Sequence, residues 1–368
     1  MPEAQDARLH QDAAPEETAR RLAACEAALA ALRAEHAALL ASRSWRFTAP
    51  LRRLRALPGQ AIDRLDARLR NDLPWDAQPW AVRHWRRLPV IGPRLVQREL
   101  VRRFIAWHGQ PPRLDPPIGF SEHVLHRMIF DRDPRLRLLN DKLRVREVIA
   151  ERAGAEYVVP LLGVWTRAEA VPWHDLPLPC VVKPSHSSGA IAFLRQETDR
   201  DPAELQALAR RWLATDYFDV SLEWGYRNLP RRLLAEPMLR GPDGGDPPEA
   251  QVLTFGGRPE IIRVMIGPKA TPQRLDAWFD TEGRRLPMRM KRQPGDHSLP
   301  RATAQRLAAL AEKLGAGFVH LRVDFYLTAE GPKVGELTPY MLGGSGRFQP
   351  AEWDLRLGRL WTEAASRG

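Results

Sequence analysis

An α+β chain, with antiparallel sheets and helices packed on them, is what three observations in this sequence predict. Apolar runs are joined in pairs by glycine-bearing turns, TFGGRPEI and LTAEGPKV, as in hairpins rather than parallel crossovers. Stretches with helical spacing, DPAELQALARRWLAT and ATAQRLAALAEKLG, are interleaved with those runs. An alanine-rich stretch ahead of them, free of Gly and Pro, predicts a helical extension at the N-terminal end.

The extension comes first. Leu22, Cys25, Leu29, Leu32, His36 and Leu39 follow alternating spacings of three and four, a coiled-coil-like seam of under three heptads that suits either self-association or a simple packed helix. SRSWRFTAPLRRLRAL follows, with Trp45, Phe47, Leu51, Leu54 and Leu57 set among Arg46, Arg52, Arg53 and Arg55. Such a basic amphipathic segment can lie on an anionic membrane surface or on the protein itself. Residues 1–57 form this first unit. Residues 58–117, rich in Trp, Arg and Pro, read as short helices and connectors ending near PPRLDPP, where proline stops helices.

Residues 118–368 alternate helix-like and strand-like patterns. Helices are predicted over DKLRVREVIAERAG, DPAELQALARRWLAT and ATAQRLAALAEKLG. Strands are predicted around EYVVPLLGVW, PCVVK, AIAFLR, RRLLAEPML, EAQVLTF, PEIIRVMI, GFVHLRVDFYL and KVGELT.

Composition excludes several classes. With 368 residues the chain can build a large core, and its 2 cysteines, far apart, offer neither a disulfide framework nor metal spacing. The acidic, polar start is unlike a signal peptide, and Glu26, Arg33, Glu35 and His36 interrupt the most apolar window, so a cytoplasmic protein, peripheral at most to the inner face of the membrane, is expected. The net charge of +11 is concentrated: residues 43–103 hold 15 Arg, no Lys and 5 acids. Nucleic acid is not the expected partner, because no recognised module accompanies these arginines.

Lysine is scarce beside arginine, which draws attention to two of them. Lys142 stands in NDKLRVREVI, in the first turn of a predicted helix, and Lys183 ends the strand PCVVK. Lysine is a compact, mobile point charge suited to a phosphate oxygen. After Pro184, the run Ser185, His186, Ser187, Ser188, Gly189 has the small side chains that let backbone N–H groups approach phosphate, although an ordinary hairpin turn has the same composition. In HLRVDFYL, Leu321, Val323 and Phe325 fall on one face and Arg322, Asp324 and Tyr326 on the other. KVGELT follows a tight turn, so Asp324 and Glu336 fall on neighbouring strands, two hard oxygen donors suited to Mg2+ or else a pair of surface acids. RRLLAEPML ends in Glu236, Pro237, Met238 and Leu239, where a strand end can meet a flat ring.

The order of these pieces resembles the ATP-grasp fold, in which two α+β subdomains with antiparallel sheets clamp a nucleotide. The segments NDKLRVREVIAERAGAEYVVPLLGVW, VVKPSHSSG, SLEWGYRNLPRRLLAEPML, TFGGRPEIIRV and RVDFYLTAEGPKVGELTPYMLGGSGRFQP are similar to the TupA-like branch, associated with teichuronopeptide and other bacterial surface-polysaccharide biosynthesis. SRSWRFTAPLRRL resembles segments adjoining coiled coils in bacterial glycosyltransferases. The resemblance spans roughly residues 118 to 362. It implies that Lys142 and Lys183 hold the α- and β-phosphates, that the loop of Ser185, Ser187, Ser188 and Gly189 closes over the triphosphate, and that Glu236, Met238 and Leu239 receive adenine. Asp324 and Glu336, with Thr338, would bind Mg2+. Arg322 and the loop Gly343, Gly344, Ser345, Gly346, Arg347 would meet the carboxylate substrate or its acyl phosphate. Four positions depart from the pattern: Pro237 and Met238 replace a second Glu and an aromatic, Gln251 stands where relatives often carry lysine, and Thr338 where many carry Asn.

The expected activity is therefore an ATP- and Mg-dependent carboxylate-amine ligase working through an acyl phosphate. Its substrates would be glycan or amino-acid molecules bearing a carboxylate and an amine, with glycosyltransferases and the inner membrane surface as partners. The rivals are a phosphoryl transferase or glycosyltransferase-associated factor, and a non-catalytic nucleotide-binding scaffold. No Ser, Cys or His nucleophile is required, and His186 and His297 read as an ordinary loop and surface residue.

Overall fold

The computed structural model describes residue 30 and residues 87–89, 91–269, 271–290 and 292–367. The predicted seam from Leu22 to Leu39, the basic segment 43–57 and most of the connector lie outside the described residues.

Helix α1, Gly92–His108, stops at Gly109, whose φ of 79° a residue with a side chain adopts at a cost and whose N–H closes on the Ile105 carbonyl. After the proline-rich bend come α2 (Phe120–Phe130), α3 (Arg135–Asn140) and α4 (Val145–Arg152). The expected helix from residue 141 begins late because the Asp141 carboxylate accepts the N–H groups of Leu143 and Arg144 at 3.0 and 3.4 Å and holds a turn. Lys142 thus stands in that turn rather than in a helix.

A small sheet follows, made of β1 (Gly163–Trp165), β2 (Cys180–Pro184), β3 (Ala192–Leu194) and β4 (Leu233–Pro237), in the antiparallel order β1-β4-β2-β3. Of the strand expected around EYVVPLLGVW only Gly163–Trp165 forms, since Pro160 has no N–H for a ladder and residues 155–157 coil into a 3-10 turn. Between β3 and β4 lie α5 (Pro202–Ala214), capped by the Asp201 carboxylate on the Ala203 and Glu204 N–H groups, and the short α6 (Tyr217–Ser221). Cys180, Val182, Leu194, Leu205, Ala209 and Ala235 pack beneath this sheet, which leaves Val181, Lys183 and Glu236 on its opposite face.

The large sheet holds β5 (Glu249–Phe255), β6 (Arg258–Ile266), β7 (Leu275–Phe279), β8 (His320–Thr328) and β9 (Gly331–Thr338), antiparallel in the order β7-β6-β5-β8-β9. The chain closes with α7 (Arg301–Gly315), before β8, and α8 (Glu352–Ser366). Strand periodicity divides the sheet as expected. Ala250, Val252, Ile262, Val264, Leu321 and Val323 pack on α7 and α4 through Leu307, Ala311, Leu314 and Ile149. The residues between them, including Glu249, Gln251, Arg263, Arg322 and Asp324, face a cleft. At one end that second face is covered by α1, α2 and α8, where Phe104, Phe120, Leu357 and Trp361 close on Leu253, Phe255 and Trp278. Strand β7 escapes sequence patterning because Asp276, fully buried under Arg263, breaks its apolar run.

Candidate active site

Antiparallel register lines up the polar residues of the large sheet. Asp324 pairs with Glu336 on one side and with Gln251 on the other; Gln251 pairs with Arg263, and Arg263 with Trp278. The row runs across all five strands and floors a cavity of about 550 Å3, with Lys142, Lys183, Ser188 and Gly189 on its opposite wall. The strand lysine, its loop and the two carboxylates expected from sequence therefore do converge.

The carboxylates are held differently. Arg322 grips Asp324 with two bonds, Nε to Oδ1 at 2.6 Å and Nη2 to Oδ2 at 2.8 Å, and Gln251 Nε2 donates to Oδ2 at 3.0 Å. Glu336 has looser company, Lys142 at 3.8 Å and Arg322 at 3.9 Å. Burial lifts the Asp324 carboxyl above its ordinary range despite Arg322. Burial also works against charge on Glu336, yet Lys142, Arg322, Lys269 and Lys183 outweigh it and hold that carboxyl low. Two neighbouring hard oxygen donors with no third His, Cys, Asp or Glu gathered to them among the described residues suit Mg2+, which leaves most of its positions to phosphate and water. Thr338 lies beside Arg322 in the register, where its hydroxyl accepts from Nη2 at 3.1 Å.

Lys183 and Glu236 are 9% and 5% exposed and meet at 2.6 Å, with Arg146 on the other side of the carboxylate at 3.2 Å. Burial opposes the Lys183 charge, but Glu236 overcomes it and raises the pKa. Burial lowers that of Lys142, with Glu336 opposing. Lys142 is tied to the small-residue loop twice: its N–H donates to the Ser185 carbonyl at 2.9 Å, and its ammonium to the Ser187 carbonyl.

The loop itself needs correction. Ser188 and Gly189 form the exposed tip on the cleft, whereas Ser185, His186 and Ser187 are buried. Ser185 Oγ donates to the Pro230 carbonyl at 3.4 Å, Ser187 Oγ is buried with no partner among the described residues, and His186 Nε2 meets the Trp212 carbonyl at 3.1 Å. A strand that enters a lobe between packed layers carries its next residues inward before the tip turns out. Only Ser188 and Gly189 are placed to approach a ligand.

Beside Lys183 a narrow slot opens between the sheets, walled by Val181, Ile191, Phe193, Met238, Leu239 and Tyr326, with Glu236 at its edge. Apolar walls with a few polar groups at the edge are the kind of lining that takes an apolar ring. The expectation that the Met238 backbone receives a base edge is not met by its N–H, which already donates to the Pro179 carbonyl at 3.0 Å. Glu236 spends its carboxylate on Lys183 and Arg146, so it positions the lysine.

Arg347 turns away from the cleft into a separate hollow with His108 and Asp354. Of the loop after β9, Leu342, at φ 52°, reaches the main cavity. Several cleft residues escape a motif reading: Lys269, which bonds Glu249 at 3.0 Å; Arg274, on the same carboxylate at 2.7 Å; Arg263; and Arg292. So does Glu223, whose Oε1 lies 3.5 Å from where a side chain on Gly343 would begin. Burial and the nearby Glu336 push the Glu223 carboxyl up to about 8, against Arg322. The scarcity of lysine could have singled out Lys269. The other four are ordinary residues until the strands assemble. His297, by contrast, is accounted for by its bond to the Val264 carbonyl at 3.2 Å.

A family profile described as TupA-like ATPgrasp matches residues 122–362. No curated protein matches the chain. Among solved structures, D-alanine–D-alanine ligase from Bacillus anthracis complexed with ATP is 14% identical with a TM-score of 0.37, over 62% of this chain and 66% of that one. The ATP-grasp ligase PsnB, complexed with a phosphomimetic variant of its minimal precursor, Mg and ADP, is 12% identical with a TM-score of 0.39, over 67% and 66%. N5-carboxyaminoimidazole ribonucleotide synthetase from Thermus thermophilus is 14% identical with a TM-score of 0.33, over 57% and 48%. The chain thus spans less than two thirds of the length of each of these proteins.

Proposed function

Since this chain belongs to the TupA-like ATP-grasp family, we propose that it is an ATP- and Mg-dependent carboxylate-amine ligase that forms ADP and serves the synthesis of a teichuronopeptide-type or other cell-surface polysaccharide. The observation that carries the reading is the meeting of Lys142, Lys183 and the Ser188–Gly189 tip with the Asp324–Glu336 pair across one cavity, beside a slot with mostly apolar walls.

In this reading the slot takes adenine, Lys142 and Lys183 take phosphate oxygens, and the two exposed loop residues offer backbone N–H groups. Asp324 and Glu336 would hold Mg2+, which supplies charge neutralisation at the phosphates. Arg322, fixed by Asp324 and Thr338, lies where it can orient a substrate carboxylate. That carboxylate bonds to the γ-phosphorus as the bond to the ADP oxygen breaks; an amine then bonds to the acyl carbon, phosphate leaves, and the amine gives up a proton. Positioning and charge account for such a reaction without a protein nucleophile. Among the described residues no helix is long and apolar enough to cross a membrane. The arginine-rich segment 43–57 would hold the protein at the anionic inner face, near glycosyltransferases.

The test is thermal unfolding with and without Mg-ATP for the wild type, Lys183→Met and Asp324→Asn, followed by ADP release with pooled carboxylates and amines. At about 100 times its dissociation constant a ligand stabilises by roughly 2.7 kcal/mol. A shift in the wild type that both folded variants lose, with ADP release that needs both pools, is expected. ADP release that needs only a hydroxyl acceptor would replace the ligase by a phosphoryl transferase, and binding without turnover would leave a nucleotide scaffold.

A further inference from the structure

We propose that Arg292, with Arg263 beside it, forms a specificity subsite for a second carboxylate on the acceptor, roughly two strand spacings from the reacting one. The proposal rests on the ligase reading for what reacts at Asp324 and Glu336. Its own support lies elsewhere in the cavity.

The other cations of the cleft wall that stand on the sheets or their turns have carboxylates. Lys183 has Glu236 at 2.6 Å, Lys269 and Arg274 share Glu249 at 3.0 and 2.7 Å, Arg322 has Asp324 at 2.6 Å, and Arg263 has the buried Asp276. Arg292 lines the same cavity half-buried, and among the described residues no carboxylate or hydrogen-bond acceptor meets it. It is also close enough to Arg263 for its charge to disfavour that of Arg263. Two guanidinium groups facing one carboxylate in a partly desolvated cleft are relieved by an added anion.

Register sets the distance. Arg263 is two strands from Asp324 along the row through Gln251, and neighbouring strands lie about 4.8 Å apart, so the subsite is about 10 Å from Asp324. Met265, Met290 and Leu342 line the same cavity and offer apolar contacts to the body of an extended molecule. The planar guanidinium fork matches a carboxylate with two parallel bonds, which selects for this anion in orientation as well as charge. Arg263 keeps a hydrogen-bonding hand free for it: Nε and Nη2 both go to Asp276 Oδ2, and Nη1 has only Gln251 Oε1, at 3.4 Å.

A molecular ruler tests this. With Mg-ADP present, the full chain is titrated by calorimetry with straight-chain α,ω-dicarboxylates from malonate to sebacate and with monocarboxylates of equal length, for wild type, Arg292→Gln and Arg292→Lys. Wild type should prefer suberate and sebacate over octanoate and decanoate by about tenfold, with no such preference at malonate. Arg292→Gln should abolish the preference, Arg292→Lys should keep part of it, and Mg-ADP affinity should move by less than about twofold in either. A wild type indifferent to the second carboxylate would overturn the subsite. So would an Arg292→Gln variant that weakens Mg-ADP as much as the diacid, which would assign Arg292 to the triphosphate. Failure of the ligase reading is seen separately, as a diacid preference that persists in a protein showing no ADP release with any carboxylate and amine.

Discussion

Gln251 Nε2 donates to Asp324 Oδ2 at 3.0 Å while its Oε1 accepts from Arg263 Nη1 at 3.4 Å, so a neutral amide links the Asp324 carboxylate to a buried arginine two strands away. Relatives resembled by this sequence often carry lysine there. A lysine would add a third cation between Arg263 and Arg322, whereas the amide satisfies a donor and an acceptor without charge. Gln251→Leu should leave Arg263 Nη1 without its acceptor and Asp324 Oδ2 with Arg322 alone, and cost roughly 1–3 kcal/mol in urea unfolding. Gln251→Lys should weaken Mg2+ dependence of ADP binding; equal Mg2+ titrations in wild type and this variant would contradict the linking role.

The Glu236 carboxylate serves two cations and Lys183 only one carboxylate. Glu236→Gln strands Lys183 and Arg146 together in a buried site, a loss expected at roughly 3–5 kcal/mol. Lys183→Met leaves Glu236 with Arg146 and should destabilise less while lowering Mg-ADP affinity more. Chemical denaturation and nucleotide titration of the two variants read these opposite orders directly.

Acid should weaken the fold through two buried histidines, against the opposing contribution of Glu223, whose carboxyl in the folded chain takes up its proton near pH 8. Burial, with neighbouring His126, lowers His123 to about 4, and burial with Arg127 takes His320 well below its ordinary value of 6.5. Between pH 6.5 and 4 the unfolded chain binds a proton at each histidine that the folded chain refuses, so their contribution is full above pH 6.5 and falls as pH drops, two protons against the one that Glu223 holds in the folded chain. Each histidine contributes about 1.4 kcal/mol per pH unit at most. Urea unfolding at pH 7 and pH 5 should show the fall, and His123→Phe, which can keep the stacking on Trp361 at 5.3 Å, should flatten it by about one proton.

Gly358, inside α8, would place a Cβ 1.9 Å from the Ile118 carbonyl oxygen. Alanine is the better helix former by about 1 kcal/mol, yet overpacking against backbone should reverse the sign, for a net loss of roughly 1–3 kcal/mol. A Gly358→Ala protein more stable than wild type would show that the segment before α2 yields.

Much of this protein was legible in one dimension. The alternation of Leu321, Val323 and Phe325 with Arg322, Asp324 and Tyr326, the hairpin turn to KVGELT, and a lysine closing an apolar strand are local patterns set by strand periodicity and turn chemistry; they put Asp324 and Glu336 on neighbouring strands, while the meeting of Lys183 with that pair is implied only by the resemblance to the ATP-grasp fold. The tertiary structure alone decided what those residues touch. Register across strands far apart in sequence joined Gln251 to both Asp324 and Arg263; packing of the small lobe turned Ser185 and Ser187 inward and left Ser188 outside; and the bond from Met238 to Pro179 removed a backbone donor that a bare strand end would offer. Periodicity determines the face on which a side chain lies, because it is a property of the strand itself. Partners, burial and charge belong to pairs of strands and depend on how the two sheets meet.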